Sequence, residues 1–401
     1  MNPKGALLVG QAGGPTSVIN ASLVGVVREA ASSGYTQIIG MRHGVSGLLT
    51  GELVDLGAQP PDVLTRLHRT PSSALGATRH RPTDDELGIA VRILRQLDVR
   101  SLIYIGGNDS AETLRRIGAA ASAEGYGIRC VHVPKTIDND LVLTDHTPGY
   151  GSAGRHVAIL TRDAGRDTEA MRHTDPVKLL EVPGRNAGWL AASSALAREA
   201  EGDAPHLIIP PETLVSAEDF LARIERALAK HGCAVVVVAE TARGRDGSPI
   251  GSDDPTMGSA DAFGHRRLSG AASYLSALVA SRLKVRARWE KPGTLIRTSG
   301  ISLSDVDLAE AEEVGRAGVR AADSGMTDVM VTLVREPGAV YRCTTGYAQL
   351  AGIANRERRM PAEYFADDGY DVSRAFVDYI TPLVGGPLPS YGRLLPIRLR
   401  R

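Results

Sequence analysis

Aromatic side chains are scarce in this chain. Phe, Trp and Tyr make up 4% of its 401 residues, too few for the stacking platforms that hold single-stranded bases. Cysteine is scarcer still: Cys130, Cys233 and Cys343 are the 3 present, in apolar or strand-like contexts and without paired spacing. That spacing argues against a disulfide framework or a zinc site and fits buried thiols in a reducing cytosol. Neither sign of charge is in excess. Lys plus Arg and Asp plus Glu both total 46, so nothing in the balance suggests a nucleic-acid or membrane surface. No apolar run approaches the roughly 20 residues a membrane span needs. The first residues, Met1 to Gly5, lack the apolar stretch of a signal peptide. The expectation is a cytoplasmic protein with no nucleic-acid or membrane partner.

Glycine, by contrast, is plentiful, with 44 residues, and it collects after apolar runs. Ala6 to Val9 reads as a strand. Gly10-Gln11-Ala12-Gly13-Gly14-Pro15-Thr16-Ser17 follows, then a helical pattern from Val18 to Ala31. A strand, a glycine turn and a helix bring backbone N–H groups close to a phosphate; an ordinary βα turn has the same outline. Ser101 to Ile105 is a nearly continuous apolar strand, as in a parallel sheet covered on both faces. It runs into Gly106-Gly107-Asn108-Asp109-Ser110 and a helix from Ala111. Ile128 to Val133 delivers a third loop, Pro134-Lys135-Thr136-Ile137-Asp138-Asn139-Asp140. Carboxylates two positions apart at the mouth of a strand can divide labour, one as base and one for a metal or its water. Lys135 supplies a compact positive charge for an anion beside them.

The remaining chain keeps the alternation. Helices are expected at Asp84–Leu97, from Thr147 through about Arg166, and at Trp189–Glu199, Ser216–Lys230, Ala271–Arg282 and Val306–Ala322. Strands are expected at Gln37–Met41, Val177–Val182, His206–Ile209, Cys233–Ala239 and Val329–Val334. Such alternation predicts an α/β fold with mainly parallel sheets. The length predicts two sheets facing each other across a cleft. Open α/β sheets bind ligands at the carboxyl ends of their strands, so three ligand-like loops at three strand ends point to one converging site. The basic end, Arg393 to Arg401, reads as a frayed, solvated terminus.

These strings together resemble the phosphofructokinase family, and within it the pyrophosphate-dependent branch. The resemblance runs over nearly the whole chain. It rests on Gly13-Gly14-Pro15 with Asn20-Ala21, on Gly106-Gly107-Asn108-Asp109-Ser110, and on Pro134 to Asp140. It continues through Pro148 to Ala153, Glu181 to Trp189, Ile209-Pro210-Pro211-Glu212, and Arg288 with Arg297. It implies two Rossmann-like three-layer domains with the active site between them. The donor domain would be 1–149 plus about 296–351, and the acceptor domain 150–295 plus about 352–401. It also implies roles. Asp138 resembles the general base and Arg185 an arginine at the transferred group. Gly14, Arg79, Asn108, Asp109 and Lys135 would face the donor. Thr136, Asp138, Asp140, Pro183, Gly184, Arg185, Glu212, Arg288, Thr294 and Arg297 would face the acceptor. Glu212 resembles a carboxylate that grips sugar hydroxyls, and Arg288 with Arg297 the pair on the sugar's far phosphate. Arg288 would reach in from a neighbouring subunit of a homodimer or homotetramer. Asn108 and Asp140 would serve a magnesium ion.

Two positions bear on the donor. ATP-using members typically have glycines where Asp109 and Lys135 stand here. A charge at Asp109 would crowd and repel a nucleotide's α-phosphate, while Lys135 can bind pyrophosphate directly. The expectation is therefore transfer of a phosphoryl group from diphosphate to fructose 6-phosphate. The sequence also departs from the family pattern. Asn108 replaces an aspartate near magnesium, Pro183 a methionine against the sugar, Pro176 an arginine and Thr294 a histidine on the far phosphate. Pro183, Pro176 and Thr294 keep another acceptor open, such as myo-inositol or sedoheptulose 7-phosphate. An ATP enzyme that tolerates Asp109 and a non-catalytic regulatory subunit are further alternatives.

Overall fold

The structure is a computed structural model that describes residues 4–251, 270–366 and 368–395. The basic terminus beyond residue 395 lies outside the described residues. Thirteen strands are assigned among the described residues: β1 (Ala6–Gln11), β2 (Gln37–Met41), β3 (Leu53–Asp55), β4 (Val99–Gly106), β5 (Arg129–Pro134), β6 (Val177–Val182), β7 (Leu207–Ile209), β8 (Leu214–Val215), β9 (Ala234–Ala239), β10 (Arg243–Gly244), β11 (Ala287–Glu290), β12 (Val329–Arg335) and β13 (Cys343–Gln349). The first sheet runs β13-β12-β5-β4-β1-β2-β3; its inner strands are parallel, and β3 and β13 close the edges antiparallel. The second sheet runs β11-β6-β9-β7 and is parallel throughout. A short parallel pair, β8 with β10, stands apart. This is an α/β fold with mostly parallel sheets, as expected.

Burial explains the unbroken apolar runs. β1 and β9 are buried along their whole length, because helices cover both faces of each sheet. On the first sheet, helices Asp84–Gln96 and Asn108–Ala123 pack one face, and helices Ile19–Ser32 and Asp305–Asp323 the other. The last two cross at backbone distance. A Cβ on Gly25 would lie 2.1 Å from the Glu312 carbonyl oxygen, and one on Gly315 2.1 Å from that of Ser22. Only glycine fits that crossing, so it fixes where the late helix returns to the early sheet. The second sheet has its own two cores, one built around Tyr150, Trp189, Phe376 and Tyr379 and the other around Phe220 and Ile224.

Some elements differ from expectation. The helix expected from Ala111 starts at Asn108, with Gly107 as its N-cap, so Asn108 and Asp109 lie in its first turn, not in a loop. The helix expected over Trp189–Glu199 is α-helical only to Ser193 and continues as a tighter 3-10 turn to Ala197. Ser193 and Ser194 donate their hydroxyls to the carbonyls of Leu190 and Ala191 three residues back, which competes with continuing the helix. β11 and β13 carry half-exposed, mixed sequences and gave no apolar signal. Among the described residues no helix is long and apolar enough to cross a membrane.

Candidate active site

The carboxyl ends of β1, β4 and β5 open into one cleft of about 1000 Å³, and residues that follow β6 and β9 form its far wall. Gly14, Arg79, Asn108, Asp109, Lys135, Thr136, Asp138 and Asp140 line the near side. Pro183, Arg185, Thr294 and Arg297 line it from the second sheet's connections. Residues widely separated in the chain thus meet at one place.

The glycine turn after β1 is held by charge. Gly13 has φ +72°, a left-handed conformation suited to glycine. Lys135 is 3% exposed and donates Nζ to the Gly14 carbonyl oxygen at 2.7 Å. Its own amide is tied to the Gly106 carbonyl at 2.9 Å, so one lysine joins the first and second loops. Space for side chains is taken at both glycines. A Cβ on Gly13 would meet Lys135 Nζ at 3.2 Å, and one on Gly14 would meet the Arg297 guanidinium at 2.8 Å. Arg297 is half-buried, and its Nε finds no acceptor among the described residues. It therefore abuts the Gly13–Gly14 turn from the far side of the cleft.

The loop after β5 is shaped from behind. Asn139 is fully buried with φ +53°, and Asn tolerates that region better than most residues. Its Oδ1 accepts from the Thr147 amide and its Nδ2 donates to Tyr379 Oη at 3.0 Å. Arg358 donates to the Asn139 carbonyl and stacks 4.6 Å over Trp189. The few aromatics are concentrated here: Tyr150, Trp189, Tyr364, Phe376 and Tyr379 contact one another edge-on or tilted. This packing turns Asp138 and Asp140 into the cleft on either side of Asn139.

Comparison with known proteins is decisive about the family. The phosphofructokinase family profile matches residues 6–322. The chain belongs to the phosphofructokinase family. It is 37% identical over 395 residues to a pyrophosphate–fructose 6-phosphate 1-phosphotransferase of Xanthomonas campestris, covering 97% of this chain and 94% of that one. The solved pyrophosphate-dependent phosphofructokinase of Marinobacter aquaeolei superposes with a TM-score of 0.86 at 32% identity, covering 99% of this chain and 98% of that one. A sulfofructose kinase of Alkalicoccus urumqiensis is 30% identical over 360 residues, covering 90% of this chain and 91% of the relative.

The electrostatics of this phosphofructokinase cleft are poised for ions. Burial raises the pKa of Asp138, with Glu240 adding to it and Lys135 and Arg185 opposing. Burial also raises that of Asp140, with Asp138 and Glu357 adding. Two carboxylates that repel each other in an enclosed site fit a cation between them or beside them. Burial pushes Lys135 down to about 8, with Asp138 opposing and Arg297 and Arg79 adding. Arg297 is likewise lowered by burial and by Arg79. Three crowded cations fit an anion with several charges.

Some site residues do not match their expected places. Glu212 does not line the cleft. Its Oε1 accepts from the amides of Gly188 at 3.1 Å and Met360 at 3.3 Å, so it props the turn into Trp189. The carboxylate that reaches the cleft from the second sheet is Glu240, after β9, with Lys291 4.0 Å from it. Gly184 is buried beside exposed Arg185, and Thr241 Oγ1 lies 2.6 Å from the carbonyl oxygen of each, its one proton serving either. Arg288 stands on the edge strand β11, half-exposed and paired with Asp175 at 2.8 Å, outside this chain's cleft. Both ends of the Asn108 amide are engaged by the backbone, with Nδ2 donating to Arg356 at 2.6 Å and Oδ1 accepting from Asn355 at 2.7 Å. Glu240, Lys291, Asn355 and Glu357 were missed because none belongs to a glycine turn after an apolar strand and each joins the cleft only through packing. A carboxylate directly after the buried run Ala234 to Ala239 was the available signal for Glu240.

Proposed function

We propose that the chain is a pyrophosphate-dependent 6-phosphofructokinase. It transfers a phosphoryl group from diphosphate to O1 of fructose 6-phosphate, giving fructose 1,6-bisphosphate and phosphate. One observation carries the donor assignment: Lys135 is locked against Gly14 beside Arg297, while Asp109, in the first turn of the helix after β4, is paired with Arg81 at 2.5 Å. The cations suit the charge of a diphosphate. By resemblance to the family, Asp109 occupies the place of a glycine that makes room for ATP, and its pairing with Arg81 adds bulk there. The Xanthomonas and Marinobacter relatives carry the same donor in their names.

Asp138 acts as general base, accepting the O1 proton as the O1–phosphorus bond forms and the bridging bond of diphosphate breaks. A positioned carboxylate with a raised pKa suits that task near neutrality. Arg185 and Arg297 offset charge on the transferred group, which is the larger part of phosphoryl-transfer catalysis. Thr136 and Glu240 hold the sugar, and Gly14, Arg79 and Lys135 hold the leaving phosphate. The cleft fits magnesium: Asp140 would bind it directly, and Asn108, whose carbonyl retains one lone pair, through a water. When bound, the ion neutralises diphosphate charge. The donor domain is taken as 1–149 with about 296–351, and the acceptor domain as the rest. Arg288 completes the far-phosphate site of a neighbouring copy in a homo-oligomer.

A second reading keeps the donor and changes the acceptor. Pro183 and Thr294 line the cleft where the family has methionine and histidine, and the sulfofructose kinase relative is named for a different sugar. Initial rates with magnesium, crossing pyrophosphate and ATP with fructose 6-phosphate, sedoheptulose 7-phosphate and myo-inositol, decide between them. Turnover of pyrophosphate with fructose 6-phosphate is the expected result. Turnover with pyrophosphate and another acceptor selects the second reading, and activity with ATP alone overturns the donor assignment.

A further inference from the structure

Outside the cleft, three chemically different ligand groups converge. One nitrogen of His146, a carboxylate oxygen of Glu310 and Cys343 Sγ all lie within 4.8 Å of one another. His146 follows the loop that bears Asp138 and Asp140. Glu310 lies on helix Asp305–Asp323, and Cys343 opens the edge strand β13. His146 Nε2 sits 2.7 Å from Glu310 Oε2, and the imidazole is 2% exposed. We propose that His146, Glu310 and Cys343 form a site for a borderline-soft divalent cation of the zinc class.

The surroundings meet the demands of such a site. A zinc-bound imidazole normally gives its other nitrogen to a carboxylate that fixes the ring. Here Nδ1 of His146 is 2.9 Å from Asp145 Oδ1, and Asp145 is held in turn by Arg335 at 3.2 Å. Bonds of about 2.0–2.3 Å in tetrahedral geometry place neighbouring ligand atoms roughly 3.3–3.8 Å apart. The Nε2–Glu310 contact must open by roughly 0.6 Å, and the thiol, within 4.8 Å of both other ligand atoms, must close by at most about 1.5 Å. Tyr341 Oη, 2.5 Å from Glu310 Oε1, holds the second oxygen of that carboxylate. A thiol and an imidazole nitrogen bind metal only when deprotonated, so loading releases the thiol proton and the Nε2 proton to solvent. Imidazole with thiolate selects zinc over magnesium. The chain spacing of the cysteines argued against a zinc site because spacing reveals only ligands that are neighbours in sequence, and these three come from separate elements.

Cobalt(II) is the probe, added to the full-length protein in excess magnesium. The expected result is one equivalent bound per protomer, with a thiolate-to-cobalt charge-transfer absorption. That band disappears in Cys343→Ser and persists in Cys233→Ser. Zinc displaces it. Asp145→Asn weakens zinc affinity about 10–100-fold, as loss of such a supporting carboxylate usually does. Cys343 is partly exposed on an edge strand and away from the cleft, so Cys343→Ser keeps pyrophosphate-dependent turnover, which certifies its fold. The absence of a charge-transfer band in the wild-type protein, or its survival in Cys343→Ser, overturns the site.

Discussion

The two walls of the cleft are built differently. The wall from the first sheet presents backbone: the Gly13–Gly14 turn, the amide-rich start of helix Asn108–Ala123, and a lysine pinned to a carbonyl. Lys135 at its centre is buried, and left-handed backbone at Gly13 and Asn139 fixes two of its turns, while Arg79 and the Arg81–Asp109 pair stand at its exposed rim. The wall from the second sheet presents side chains on loops, Pro183, Arg185, Glu240, Lys291 and Thr294, several of them exposed. A diphosphate is small, symmetric and highly charged, and a rigid backbone cradle suits it. A sugar phosphate varies in its hydroxyls, and exchangeable side chains suit that variation. The donor preference is therefore the harder property to change, and the acceptor preference the easier.

Asp138, the proposed base, lies where the walls meet, and its removal gives the largest expected effect. Asp138→Asn should lower kcat by about 10²–10⁴-fold, the usual range for a positioned acid or base, with both KM values little changed. Wild-type-like turnover in steady-state assays would remove Asp138 as the base. The donor wall comes next. Lys135→Met keeps the length and removes the charge. A charge-assisted hydrogen bond contributes about 1.5–3 kcal/mol, so kcat/KM for pyrophosphate should fall roughly 10–100-fold. The acceptor KM should move far less. Equal losses for both substrates would mean that the lysine supports the fold of both loops and does not read the donor.

The acceptor wall is sharpened by Arg288, which one chain places outside its own cleft. Arg288→Ala should raise the sugar-phosphate KM about tenfold and leave the pyrophosphate KM unchanged. Mixing Arg288→Ala with Asp138→Asn subunits tests the shared site. A hybrid contains one site with Asp138 from one copy and Arg288 from the other. Activity at low acceptor concentration should then exceed the sum of the two variants. No gain after subunit exchange would break the proposal of a shared site.

The contrast between the walls also explains what could be read from the residues alone. The near wall was legible because each of its loops is a short contiguous string, and left-handed backbone at Gly13 and Asn139 suits the residue types that stand there. The far wall was legible in part. Glu212 and Glu240 both follow strands of the second sheet, and local pattern cannot rank them. Only packing shows Glu212 turned toward the Gly188 and Met360 amides and Glu240 toward the cleft. The glycines at the crossing of helices Ile19–Ser32 and Asp305–Asp323 were silent for the same reason, since a helix pattern does not say what it will touch. β13 was silent because an edge strand with one exposed face lacks an apolar run.

The smallest expected effect tests how the walls share charge. Glu357 comes from the late chain, accepts from Asn186 Nδ2 at 2.7 Å, and raises the pKa of both Asp138 and Asp140 after burial and their nearer carboxylate neighbours. A general base works only when deprotonated, so turnover is present above its pKa and is lost as pH falls through it. Because burial and these neighbours raise that pKa, the acid limb of kcat/KM should lie above the ordinary carboxylate range. Glu357→Gln removes one negative neighbour. Asp138 then loses its proton more readily, and the limb should move to lower pH by a few tenths of a unit, with the plateau little changed. A neighbouring charge near a protein surface is partly screened, which keeps the shift small. A limb that moves to higher pH would mean that Glu357 acts by holding Asn186 and the Arg185 loop in place, and that the two walls are coupled through structure instead of through charge.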